Sequence, residues 1–159
     1  MHDTAAPPNS IWAAPGRYTV KLTVDGKSYT QPLILKMDPR VKTPALGLQQ
    51  QFTLSKALYD DVVAAQKALA GIRGLRSQDP RVTALAGAGG GGGRGGRGAV
   101  AAGPDSLNSV AAALGALMQT LQAADVTPTT QLVAAVTDRR AALAKLLAKW
   151  TALKRELAR

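Results

Sequence analysis

The chain has 159 residues, 46% of them hydrophobic, yet 30 are alanine and only six are aromatic, so side chains large enough to fill a thick core are few. The absence of cysteine excludes disulfides, thiol catalysis and iron–sulfur ligation. The single histidine, His2, falls at the very start of the chain, which argues against a Ser-His-Asp triad or a His-rich metal site.

Lys and Arg number 20 against 10 acids, and the resulting charge of +10 suits an anionic partner or simply solubility. No apolar run approaches the roughly 18 residues that span a bilayer, so no membrane span is predicted. The opening MHDTAAPPNS lacks the basic-then-apolar order of a signal peptide.

Residues 1–16 hold Pro7, Pro8, Pro15 and Gly16, which predict an extended lead-in anchored by Trp12. From Arg17 the run RYTVKLTV alternates strictly: Tyr18, Val20, Leu22 and Val24 take one face, and Arg17, Thr19, Lys21 and Thr23 the other. Asp25-Gly26 suits a type I′ turn, and KSYTQPLILKM returns as a second strand, giving a hairpin over 17–37. Pro32 has no amide to donate, which places it at an edge or a bulge. A lone hairpin is marginal in water, so the helices are expected to cover part of its apolar face.

After Asp38-Pro39 the apolar period changes. Thr43-Pro44 predicts a cap with proline in the first turn, and Leu48, Phe52, Leu58, Val62, Ala65, Leu69 and Ile72 predict a first helix over about 44–77. Gln78-Asp79-Pro80 ends it, with room for one further turn from Arg81 to Ala86. Residues 87–98 contain nine glycines in twelve positions. The entropy cost of ordering them predicts a disordered loop over 87–103 that tolerates deletion.

Asp105 or Ser106 caps a second helix with the seam Leu107, Val110, Leu114, Leu117 and Leu121. Thr127-Pro128 repeats the cap-proline start, and a third helix carries Leu132, Val136, Leu143, Leu147, Trp150, Leu153 and Leu157. The short connection makes the last two antiparallel. The expected fold is therefore α+β, mainly α: an N-terminal hairpin beside one end of an elongated three-helix bundle over 44–159, interrupted by the glycine-rich loop.

Few residues suggest chemistry. Arg94 and Arg97 lie in RGGRG, a pattern similar to RGG segments whose guanidinium groups contact phosphates and stack on bases. With only two arginines and no aromatic between Tyr59 and Trp150, a solvated tether is the favoured reading, and the pair stands as a candidate anion contact. The glycines follow no strand and precede no Gly-Lys-Ser/Thr, so they match neither a dinucleotide fingerprint nor a P-loop. Asp60 and Asp61 project about 100° apart around the first helix and do not converge. Arg139-Arg140 are expected to lay their stems along the helices and keep their heads in water, and Trp150 to be core. No catalytic residue, metal ligand or cofactor site is assigned.

The runs WAAPGRYTVKLTVDGKSYTQPLILKMDPRVKT, LQQQFTLSKALYDD, LMQTLQAADVTPTTQLVAAV and LAKLLAKWTALK resemble the C-terminal region of large bacterial exported proteins. Those proteins carry sortilin-like, Asp-box (BNR-type) β-propellers and are often labelled glycosyl hydrolases. Within the resemblance, PGRYTVKLTVDGKSYTQPL looks like the last two strands of an immunoglobulin-like sandwich that follows the propeller.

The resemblance implies a C-terminal fragment of a protein that is exported, periplasmic or extracellular, and whose ligand or catalytic site would sit on a propeller with no counterpart in these residues. The function it implies is that of a noncatalytic accessory or interaction region. Part of a glycosyl hydrolase-like enzyme, and weak nucleic-acid binding through the Gly-Arg loop, are the alternatives. Tyr18, Val20, Leu22, Tyr29 and Leu33 are then the expected interaction surface, toward upstream propeller and sandwich domains or a second copy.

Overall fold

A computed structural model describes residues 10–75, 77, 79–87 and 105–157. Strands β1 (Gly16–Val24) and β2 (Lys27–Leu35) pair antiparallel without a bulge, from Gly16 opposite Leu35 to Val24 opposite Lys27. The turn follows from its dipeptide: Asp25 at φ 48° and Gly26 at φ 78° both take the positive values of a type I′ turn. Pro32 lies opposite Thr19 in a two-stranded sheet, where both strands are edges. β2 stops at Leu35 rather than 37, since the residue that would face Lys36 is Pro15, whose ring fixes φ and removes the donor.

Four helices follow where the periodicity predicts three: α1 (Ala45–Leu75), α2 (Pro80–Ala86), α3 (Leu107–Leu121) and α4 (Thr130–Leu157). The extra one is the seven-residue helix after Asp79, about two turns where one further turn is expected, and it begins on a local cap. The Asp79 carboxylate accepts the Arg81 N–H at 2.8 Å, and Pro80 occupies the first turn.

At its other end α2 finishes on Gly87, expected within the disordered loop. Gly87 instead serves as the C-cap at φ 77°, its N–H bonded to the Thr83 carbonyl. Asn108 Nδ2 donates to the Gly87 carbonyl at 3.2 Å, and a Cβ on Gly87 would strike the Ser106 side chain. The two ends of the glycine-rich stretch are thus held side by side. The remainder of the expected loop, residues 88–103 with Arg94 and Arg97, lies outside the described residues.

Ser106, not Asp105, caps α3, in a reciprocal capping box with Ser109. On α4 the cap is Thr129, whose hydroxyl accepts the Leu132 N–H at 3.2 Å. The expected cap, Thr127, packs instead against Gly47 at the start of α1, where there is no room for a Cβ. Thr43 is likewise diverted: its hydroxyl donates to the Asp125 carbonyl at 2.5 Å, and the Pro44 carbonyl accepts the N–H groups of Gly47 and Leu48.

Cross-helix contacts set the directions. Asp61 accepts from Arg140 Nε at 2.6 Å, and the Trp150 ring lies against Gly71, 3.2 Å from where a Cβ would be. The same ten-residue step along both helices means that α1 and α4 run parallel. Arg139 meets Asp105 at 3.3 Å, just before α3, so α3 runs antiparallel to α4, as expected. Arg139 and Arg140 keep exposed heads, and each guanidinium also pairs with a carboxylate on another segment. Leu58, Leu107, Val110, Leu114, Val136 and Leu143 are the largest fully buried side chains of the core, which α1, α3 and α4 share with Val82 and Leu85 of α2.

The helices leave the hairpin uncovered, contrary to expectation. Neither strand packs against any helix, and of the nine residues in each strand only Gly16 and Leu35 are not exposed. The buried stripe of α1 faces α3 and α4 instead.

The cap of α2 makes it acid-sensitive. Hydrogen bonds from the Arg81 guanidinium, and then from the Arg81 N–H, hold the Asp79 carboxyl below its ordinary value of 3.8. A depressed carboxylate contributes stability above its unfolded pKa and loses it as pH falls through the folded value. We expect α2 to loosen only below about pH 4. Asp79→Asn, which keeps the cap acceptor but not the charge, should remove that response. The Arg81 amide signal followed by NMR during acid titration checks this; a signal that does not move with acid in the parent chain would contradict it.

Candidate functional site

Directly opposed residues of an antiparallel pair share a face, so Tyr18 with Leu33, Val20 with Gln31, and Leu22 with Tyr29 stand together on one side of the hairpin. The five residues picked out by alternation, Tyr18, Val20, Leu22, Tyr29 and Leu33, thus form a single patch. Leu22 is 60% and Tyr29 59% exposed. The Tyr18 hydroxyl donates to the Ala14 carbonyl at 2.6 Å, tying the near end of the patch to the lead-in. The opposite face is wetter, with Arg17, Thr19, Lys21 and Thr23, the last paired with Ser28 at 3.0 Å.

A second site lies where the lead-in and the start of α1 meet the α3–α4 turn. The buried stripe of α1 begins Gly47, Gln51, Ser55, Leu58, while Leu48 and Phe52, which the periodicity assigns to the core, line a cavity beside it. Gln51 Nε2 donates to the Leu121 carbonyl, which the end of α3 leaves open, and, at 2.6 Å, to the Ala124 carbonyl, which also accepts the Val126 N–H.

Gln122 clasps the lead-in as a strand neighbour would. Its Oε1 accepts the Trp12 N–H at 2.9 Å, and its Nε2 donates to the Ser10 carbonyl at 3.2 Å. The anchor of the lead-in is therefore its backbone, with Ile11 packed on the core, and not the Trp12 indole, which is 47% exposed.

The half-open cavity there has a volume of about 320 Å³, and its walls include Trp12, Pro15, Met37, Leu48, Phe52 and Ser55. Ser55 is 2% exposed, and its hydroxyl has no hydrogen-bond partner. Four threonine hydroxyls on these helices find the carbonyl four residues back: Thr53, Thr120, Thr137 and Thr151 do so at 2.9–3.0 Å. An unsatisfied buried hydroxyl costs about 1 to 3 kcal/mol. Gln51, Ser55 and Gln122 were not singled out by periodicity. The signal was nevertheless present, since steps of four and three counted back from Leu58 land on Ser55, Gln51 and Gly47.

The remaining candidates disperse. Asp60 pairs with Lys56 at 2.7 Å on its own helix, while Asp61 reaches Arg140 on α4, so the adjacent carboxylates serve different partners. Among the described residues no group of three or more His, Asp or Glu gathers as a metal site, and no helix is long and apolar enough to cross a membrane. Comparison with protein-family models, with curated proteins and with solved structures finds no match.

Proposed function

We propose that this chain is a noncatalytic interaction region whose hairpin docks onto further β-strands of the kind that complete an immunoglobulin-like sandwich. In this reading α1, α3 and α4 form an elongated bundle that serves as its base. The observation that carries it is the uncovered patch Tyr18, Val20, Leu22, Tyr29 and Leu33 on a ribbon with two unpaired edges. A β-sheet partner supplies both things the ribbon lacks, backbone hydrogen bonds along an edge and an apolar face stacked about 10 Å away. The resemblance to the C-terminal region of exported propeller proteins supports the same occupant, since strands of a sandwich would precede such a hairpin.

Without those strands, a second copy is the nearest surface of the same chemistry. Sedimentation of the purified chain is expected to show concentration-dependent association. Leu22→Asp should leave a monomer with an unchanged far-UV helical signal, because Leu22 touches no helix and a buried carboxylate is costly. A parent chain that stays monomeric to its solubility limit, or helicity lost on this substitution, sinks the proposal.

A further inference from the structure

Given the hairpin as the association surface, a reading on which this one rests, we propose that a second copy of the chain pairs along the outer edge of β1, antiparallel and centred on Val20. The two edges of the ribbon are unequal. A two-residue type I′ loop closes on a hydrogen-bonded pair, Val24 with Lys27, and hydrogen-bonded pairs then alternate along the ladder. Thr23 with Ser28, Lys21 with Thr30, Thr19 with Pro32 and Arg17 with Ile34 are therefore the pairs whose backbone groups point outward. Two observations agree with this parity. Pro32 has no N–H and keeps the ladder intact only in an outward position, and the Thr23 and Ser28 hydroxyls meet at 3.0 Å, as the closer side chains of a non-hydrogen-bonded pair allow.

Pro32 thus removes a donor from the middle of the outer edge of β2 and sets its ring in the path of an incoming strand. The outer edge of β1 has no such gap. It presents the N–H and C=O groups of Arg17, Thr19, Lys21 and Thr23, for which the described residues supply no backbone partner.

The occupant and its register follow from the side chains. Paired about Val20, two copies of β1 set Arg17 opposite Thr23 and Thr19 opposite Lys21 on the wet face, with Tyr18 opposite Leu22 and Val20 opposite Val20 on the apolar face. Sliding by two residues one way sets Arg17 opposite Lys21, and the other way Lys21 opposite itself, so like charges meet in both. A slide of one residue turns the apolar set of one copy to the wet face. Pairing β1 with β2 of the next copy meets Pro32 and leaves an edge open at each end, whereas β1 with β1 closes by two-fold symmetry. The product is a four-stranded sheet with one continuous apolar face.

The chain has no cysteine, so a single introduced one reports the pairing without background. Opposed residues of a non-hydrogen-bonded pair have Cα atoms about 4.5 Å apart, within disulfide range. Val20→Cys is expected to form a disulfide-linked dimer under mild oxidation at least about tenfold faster than Gln31→Cys, its neighbour across the hairpin. Lys21→Pro and Thr30→Pro put the same ring on the two sides of one pair, so they burden the hairpin alike and block opposite edges. In sedimentation, Lys21→Pro should weaken association at least about tenfold, because each copy loses a donor and gains a ring at the shared edge. Thr30→Pro should associate as the parent does, and so should Lys21→Thr, which removes the charge and keeps the amide.

Association that survives Lys21→Pro, association lost in Thr30→Pro alone, or equal cross-linking through Val20→Cys and Gln31→Cys overturns the β1 edge and leaves the association surface standing. A parent chain that never associates sinks both. Should either proline unfold the hairpin, the cysteine pair decides alone.

Discussion

Truncating Leu114 to alanine is expected to lower the unfolding free energy by about 2 to 5 kcal/mol, the range for a buried leucine whose cavity cannot collapse. Leu114 is 0% exposed on α3, which packs against both α1 and α4. With so few large side chains, the core has little to spare: total stability of a domain is commonly about 5 to 15 kcal/mol, so this one change takes a sizeable share.

A companion pair makes the test sharper. A strict heptad seam places Leu117 in the core, whereas Met118 is the buried residue, 5% exposed, and Leu117 is only partly covered. Met118→Ala should therefore cost more than Leu117→Ala in urea unfolding followed by circular dichroism. The reverse order would mean that α3 is rotated from the orientation described.

Gln51→Leu is expected to destabilise by about 1 to 3 kcal/mol despite adding an apolar side chain to a buried position, because it orphans the Leu121 carbonyl at the end of α3, while the Ala124 carbonyl keeps the Val126 N–H. Gln51 is 8% exposed and bonds the Leu121 and Ala124 carbonyls with one amide group. Gln51→Glu should do no better, since an ionised carboxylate has no proton to donate and would face carbonyl oxygens. Gln122→Leu removes bonds only to Ser10 and Trp12 and should loosen the lead-in while leaving the helical core near its parent stability. Chemical unfolding with amide exchange at the α3 terminus distinguishes the two. A Gln51→Leu chain as stable as the parent would show that the Leu121 carbonyl is satisfied by water instead.

The legible parts of this protein are those whose cause lies within a few residues. Alternation from Tyr18 to Val24 and the positive-φ tolerance of Asp25-Gly26 specify the hairpin without outside help. The caps at Asp79 and Ser106 act through donors two and three residues away, so α2 and α3 begin where local chemistry allows.

The parts decided by tertiary structure are those where sequence offers two locally equal answers. Thr127 and Thr129 are both competent caps, and Thr129 takes the role because Thr127 is held against Gly47. Leu117 and Met118 both lie near the apolar stripe of α3, and the approach of α1 and α4 selects between them. Gln51 and Ser55 read as polar interruptions of a helix face, yet both are buried, Gln51 through its bonds to the end of α3 and the turn after it.

The bare hairpin has the same origin. Alternation says which face is apolar, but whether anything covers it depends on where α1 directs its stripe. The buried stripe of α1 packs against α3 and α4, and neither strand contacts any helix.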